Sequence, residues 1–281
     1  MTTRESPAIA PSTTEPAVLL DRLELSAGGM AALLSLNRPE SLNPLDGECM
    51  AALRVALDEV GEDDSVRAVL ITGKGRAFSA GGDLKKYVKL QRDPVAWPAL
   101  MASNHAFFEA LRTTGKPVVA LINGVTAAGG LEIVLSCDFA YAAQSARIGD
   151  LHLRYGQMGG AGSLAILPRN IPPARARELV YSGDLLAAEE ALQCGLVNRV
   201  VPDDELLAAG IEFAEKAAAK SPLAVANAKF VMNRGLEDGL GVRAHLQLEA
   251  ERTIRYVMTS ADAPEGLSAF IEKRTPRFEG R

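Results

Sequence analysis

Apolar positions along the chain follow two different periods. "AALLSLN" (31–37), "VRAVLIT" (66–72) and "PVVALIN" (117–123) are continuous apolar runs of strand length. In a strand, successive side chains leave on opposite faces, so such runs predict strands covered on both sides. "LDGECMAALRVALDEV" (45–60) instead sets Leu53, Leu57 and Val60 at i, i+4 and i+7, the spacing of one helix face. The segment from Pro98 to Thr114 is helical in character. After Pro172 the pattern predicts helices over 173–182, 187–193, 203–219, 222–234, 239–258 and 261–273, interrupted by one short strand, "LVNRVV" (196–201). Pro222 and Pro264 fall where a first helical turn tolerates proline. Strand, loop and helix in repeated succession predict an α/β fold with a helical C-terminal half. No internal repeat is visible in the sequence.

Composition narrows the reading. The 281 residues suit one large domain with a smaller extension, and 48% hydrophobic content supports a sizeable core. The expected division is a flexible N-terminal tail (1–16), an α/β core (17–203) and a helical C-terminal region (204–281). The tail, "MTTRESPAIAPSTTEP", is rich in Pro, Ser and Thr and lacks the apolar centre of a signal peptide. Net charge is −5 with no basic block, which argues against a nucleic-acid partner. No apolar run approaches about 18 residues, so no membrane association is expected. Cys49, Cys137 and Cys194 are scattered, odd in number and form no CxxC pair. That argues against a disulfide framework or a zinc site, predicts no metal, and fits a reducing, cytoplasmic setting.

Two glycine-rich loops hold the candidate chemistry. "GKGRAFSAGGD" (73–83) follows one predicted strand and "GVTAAGG" (124–130) follows another. Neither has the spacing of a dinucleotide or P-loop fingerprint. Each meets a helix start, where backbone N–H groups are free and the helix dipole favours negative charge. Glycine lets the backbone approach a ligand without an intervening Cβ. One N–H from each loop could hold a thioester oxygen as it becomes an enolate. The loops are equally compatible with plain strand-to-helix turns.

Five ordered motifs, "NRPESLNPL" (37–45), "LITGKGRAFSAGGDLKK" (70–86), "VALINGVTAAGGLEIVLSCDFAYA" (119–142), "GLVNRVVPDDEL" (195–206) and "EGLSAFIEKRTPRFEGR" (265–281), resemble the crotonase, or enoyl-CoA hydratase/isomerase, superfamily. The resemblance runs from about Val18 to Arg281. It implies a crotonase-like spiral of ββα units with a helical C-terminal oligomerisation region. It implies an enzyme that stabilises a thioester enolate in an oxyanion hole. Gly82, in Ala80-Gly81-Gly82-Asp83, matches the position of one oxyanion N–H. Gly129 matches the other, and Glu132 the first catalytic acid/base. Ser41 and Leu42 resemble the family's CoA-binding turn. Ala80, Leu84 and Lys85 resemble residues around adenine and pantetheine. Phe270 and Lys273 resemble a pair that reaches the CoA of a neighbouring subunit. The family implies a homotrimer or a dimer of trimers, and no permanently bound cofactor: coenzyme A enters as part of the acyl-CoA substrate.

Hydratases of this family carry a second glutamate twenty residues after the first. Counting from Glu132 reaches His152 in "IGDLH", and Gly160 then matches a family glycine eight residues further on. Asp150 precedes His152 by two positions, the same side of an extended segment, where it would orient the imidazole. Histidine exchanges protons near neutral pH. It therefore either replaces the glutamate, or signals hydrolysis or C–C cleavage of a β-keto or cyclic acyl-CoA, or only fills the pocket wall beside a single acting Glu132. A non-catalytic acyl-CoA-binding protein is the alternative of another class. Tyr87, Trp97, Met101 and Phe107 fall where relatives often shape the acyl pocket, and core packing is equally open to any one of them. Arg154 and Tyr155 follow His152 as candidate site-lining residues. His105 is expected to pack or face solvent, and His245 to lie at a helical or subunit surface.

Overall fold

The computed structural model describes residues 15–281. The predicted tail therefore lies outside the described residues, apart from Glu15 and Pro16. Among the described residues ten strands build two sheets: β1 (Val18–Glu24), β2 (Met30–Leu36), β3 (Val66–Gly73), β4 (Ala77–Ser79), β5 (Val118–Ile122), β6 (Val125–Ala127), β7 (Phe139–Ala143), β8 (Arg147–Gly149), β9 (Leu186–Ala187) and β10 (Arg199–Val201). The larger sheet runs β1-β2-β3-β5-β7-β10 and the smaller β4-β6-β8-β9. Pairing is parallel except for β1 with β2 and β8 with β9.

Helices α1 (Gly47–Glu62), α2 (Leu84–Leu90), α3 (Ala96–Thr113), α4 (Gly129–Ser136), α5 (Leu167–Asn170), α6 (Pro173–Ser182), α7 (Ala188–Gln193), α8 (Leu206–Ala218), α9 (Pro222–Glu237), α10 (Val242–Thr259) and α11 (Asp262–Glu272) complete the molecule. The chain repeatedly lays one strand in the large sheet, the next in the small sheet, and then turns into helix. β3-β4-α2, β5-β6-α4 and β7-β8 with its following helices are three such passes. These passes form the spiral of ββα units that the resemblance implies.

Alternation along the strands divides the core in two. In β5, Val118, Ala120 and Ile122 face one cluster, while Val119 and Leu121 face the other. In β2, Ala32, Leu34 and Leu36 oppose Ala31 and Leu33 in the same manner. The first cluster is roofed by Leu53, Leu57 and Val60 of α1 with Phe107 and Leu111 of α3. The second is closed by Leu206, Ala209 and Ala214 of α8.

Element ends follow local chemistry. α1 begins at Gly47 rather than at 45 because Asp46 caps it, accepting from the Cys49 N–H at 2.9 Å. Ser221 caps α9 from the residue before Pro222, accepting from the Ala224 N–H at 3.2 Å. "LVNRVV" pairs only over its last three residues, because the helix end at Gly195, with φ +83°, turns Leu196 and Val197 into the core before the strand begins. β4, β6 and β8 have three residues each, too few for a period of two to register. Among the described residues no helix is long and apolar enough to cross a membrane.

Candidate active site

Glycine-rich loops from two successive ββα units meet beside the small sheet. The turn holding Ser41 and Leu42 is fixed first. Leu42 and Asn43 both take left-handed conformations, with φ of 60° and 53°. Asn43 makes this possible by its side chain: Oδ1 accepts from the Arg38 N–H at 2.8 Å, and Nδ2 donates to Ala77 O at 2.8 Å and Lys74 O at 3.0 Å. The turn is then stitched to the first glycine loop. Ala80 N–H donates to Leu42 O at 2.9 Å, Leu45 N–H to Gly81 O at 2.9 Å, and Ser79 Oγ to Asn43 O at 2.8 Å.

The second loop lies directly against the first. A side chain at Gly81 would come within 3.1 Å of Gly129 N, and one at Gly129 within 3.8 Å of Gly82 N. A Cβ on Gly130 would lie 2.4 Å from Ser79 O, so glycine is required for the loops to touch. Gly129 opens α4, and its N–H has no intrahelical acceptor. Gly82 N–H likewise has no backbone acceptor among the described residues. Ala128, immediately before α4, holds φ 50° and ψ −117°, a region that L-residues avoid. This sharp bend turns β6 into α4 within one residue and aims the helix N-terminus at the cavity.

That cavity measures about 370 Å³. Of the residues predicted from the sequence, Glu132, His152, Gly82, Gly129, Leu42, Ala80 and Leu84 line it. Ser41 and Lys85 are exposed beside it, Phe270 is 83% exposed on α11, and Lys273 ends that helix at the surface. Tyr87, Trp97 and Met101 line the wall as expected, whereas Phe107 points into the core and its neighbour Phe108 takes the lining position. His105 lines the cavity too, although helical spacing predicted only packing or solvent. Tyr155 joins the lining and Arg154 does not. The Tyr87 ring stands edge-on to Trp97 with centroids 5.1 Å apart, and it covers Gly82, where a Cβ would lie 2.4 Å from the ring.

Glu132 is 5% exposed on the otherwise apolar α4. Its Oε1 accepts from the Ala161 N–H at 2.7 Å and from Ser163 Oγ at 3.2 Å. Among the described residues no donor reaches Oε2, which is left for a ligand. The supporting segment needs its glycine: a Cβ on Gly159 would overlap Ser163 Oγ at 1.8 Å and crowd Glu132 Oε1 at 3.3 Å. Sequence reasoning missed Ala161 and Ser163. Their only local signal is the small-residue run "MGGAGS" (158–163).

Asp150 is 1% exposed and sits behind His152. Its Oδ1 accepts from the His152 backbone N–H at 2.8 Å and lies 2.6 Å from Nδ1. The expected contact is present, but an extended segment does not make it. His152 has helical φ and ψ at the start of a 3-10 turn, and Asp150 closes an Asx-turn over it. Burial alone would favour the neutral imidazole; the hydrogen bond and charge of Asp150, with the Glu132 charge nearby, outweigh it and hold His152 above its ordinary pKa. Burial likewise opposes ionisation of Asp150, and the bonds from His152 bring its carboxyl below the usual range. Among the described residues no three His, Cys, Asp or Glu side chains converge as a metal site.

Comparison with known proteins places the chain in a family. A family model described as enoyl-CoA hydratase/isomerase matches residues 27–281. A Bacillus subtilis protein carrying the enoyl-CoA hydratase/isomerase name is 37% identical over 252 residues, 89% of this chain and 94% of that protein. The 2,3-dehydroadipyl-CoA hydratase of Escherichia coli is 34% identical, covering 93% of this chain and all of its own. The crystal structure of an enoyl-CoA hydratase from Bacillus anthracis superposes with a TM-score of 0.87 at 35% identity, covering 94% of this chain and 100% of that one. The chain belongs to the enoyl-CoA hydratase/isomerase family.

Proposed function

We propose that this enzyme adds water across the double bond of a 2-enoyl-CoA thioester, with Gly82 and Gly129 N–H groups as the oxyanion hole and Glu132 as an acid/base. One observation carries the reading: two unpaired N–H groups on touching backbones share a cavity with a buried carboxylate that keeps one oxygen free. Electron density from the alkene moves onto the thioester oxygen as a nucleophile adds. Fixed N–H donors stabilise that charge without reorganising. The free Oε2 of Glu132 takes the proton of the adding water. The same enolate also serves double-bond migration, so isomerisation of 3-enoyl-CoA belongs to the same assay.

Ser41, Leu42, Ala80, Leu84 and Lys85 would carry the CoA. Three of them line the cavity, and the stitched turn fixes their backbone. Phe270 and Lys273, absent from this chain's own cavity lining, would serve a neighbouring subunit in a trimer or a dimer of trimers. The scattered cysteines support a reducing, cytoplasmic location.

Turnover of short and medium trans-2-enoyl-CoA and 3-enoyl-CoA tests the reading. Glu132→Gln is expected to lose about 10²–10⁴-fold in kcat while still binding a saturated acyl-CoA. Failure of the wild type on both series at every chain length would remove both activities. Tight binding without turnover would mark a binding protein instead.

A further inference from the structure

The second proton-transfer group is where this chain departs from the two-glutamate pattern, and the site geometry assigns it a charge state. We propose that His152 acts as an imidazolium acid that protonates the enolate carbon, with Asp150 as its positioning residue and Glu132 as the opposed base. The inference rests on the hydratase reading above.

Three observations carry it. First, Nδ1 is engaged by Asp150 Oδ1 at 2.6 Å, and among the described residues nothing bonds Nε2, while the ring lines the cavity that Glu132 also lines. Each residue thus offers one free functional atom to the same space. Second, the Asp150 contact is built in. The carboxylate is 1% exposed and already spent on the His152 backbone N–H at 2.8 Å, so it cannot leave the ring without losing the turn. Third, the charges favour a proton resting on the imidazole. Asp150 lies on the same segment and Glu132 faces it from α4, and both act to keep it protonated. The other titratable groups around the cavity are Tyr87 from α2, His105 from α3 and Tyr155 from the turn after His152. Glu132, holding only donors on Oε1, has the arrangement of an acceptor carboxylate. In a site with two carboxylates, the charge of one raises the pKa of the other, so that the loaded acid is neutral. Here the loaded group is a cation between two anions.

The step balances. Glu132 Oε2 takes a proton from water as the water oxygen bonds to Cβ. The alkene pair shifts through Cα onto the thioester oxygen, where Gly82 and Gly129 hold it. The enolate then re-forms its carbonyl as Cα takes the Nε2 proton. Glu132 ends protonated and His152 neutral; after the 3-hydroxyacyl-CoA leaves, exchange with solvent restores both.

An acid is active in its protonated form, so activity must fall as pH rises through the His152 pKa. A hydrolase using His152 as base would show the opposite limb. The test is the pH profile of trans-2-enoyl-CoA hydration by wild type, His152→Gln and Asp150→Asn, beside α-proton exchange of a saturated acyl-CoA in D₂O. The expected result is an alkaline loss of activity in the wild type, at least a 100-fold fall in kcat for H152Q, and an alkaline limb moved to lower pH in D150N with KM nearly unchanged. Asparagine Oδ1 still accepts the His152 N–H, so D150N preserves the turn and decides the matter should H152Q fail to fold. H152Q hydration within about threefold of wild type, a D150N limb that does not move, or activity lost only toward acid pH would each overturn the assignment. A wild type that exchanges α-protons but hydrates nothing would instead bring down the hydratase reading, and this role with it.

Discussion

At the scale of single residues, the site rests on one strained alanine. Ala128 holds φ 50° so that β6 can break into α4 and turn the Gly129 N–H toward the cavity. Such a conformation costs about 1–3 kcal/mol at a non-glycine residue. Glycine would adopt it freely, at a chain-entropy cost of about 0.5–1 kcal/mol. Ala128→Gly is therefore expected to stabilise the protein by about 1 kcal/mol in urea or thermal melts; a destabilised variant would refute the strain. Residue identity made part of this site legible. Gly82, Gly129, Glu132 and His152 were all reachable by motif and by counting. Ala161 and Ser163 were not, because they meet Glu132 across 29 and 31 residues of sequence through a loop with no periodicity. Asp150 was placed beside His152 correctly, but by a turn that a pattern argument mistook for an extended segment.

Elements show where local pattern and tertiary contact part. α6 forms over the residues that its apolar spacing predicts, and α3 within two residues of them. α9 is different. Its helical sequence is legible, yet its fully buried residues are only Lys229 and Gly235, and its apolar side chains from Leu223 to Ala226 are no more than half-buried. Lys229 is 6% exposed, and Nζ donates to Leu111 O at 3.0 Å, Lys116 O at 3.1 Å and Asp138 Oδ2 at 2.9 Å. It ties α9 to the end of α3 and to the start of β7. Lys229→Met would take the ammonium from two carbonyls and from Asp138, whose Oδ2 would keep only the Val118 N–H at 2.7 Å. The expected loss is about 2–4 kcal/mol, read by denaturant titration. Amide exchange in α9 should rise before that of the β2-β3-β5 strands. Exchange unchanged in α9 would show that other contacts hold the helix.

For the whole molecule, the distribution of apolar surface is uneven. α10 buries none of its residues, while Val242, Ile254 and Met258 stand exposed on it and Phe270 and Ile271 on α11. Exposed apolar side chains on consecutive helices are what an association surface would use. The proposed trimer or pair of trimers would cover them, so sedimentation equilibrium should return three or six chain masses. Charged substitutions at Ile254 and Met258 should lower that number. A wild-type monomer at micromolar concentration would dismiss the assembly, and with it any cross-subunit role for Phe270 and Lys273.

By itself the sequence determined which segments are strand or helix wherever an apolar period persisted for more than about one turn. It also determined the glycine positions where backbones meet and the identity of the acid/base candidates. Those properties are local: they follow from φ/ψ preference, side-chain period and chemical type. Only the tertiary structure decided that β4, β6 and β8 form a second sheet and that α8 closes one core. The same holds for His105 and Phe108 lining the cavity, and for Glu132 and His152 facing it with one free atom each. Three-residue strands carry too little pattern to register, and a side chain's partner across dozens of residues is set by how the sheets and helices pack.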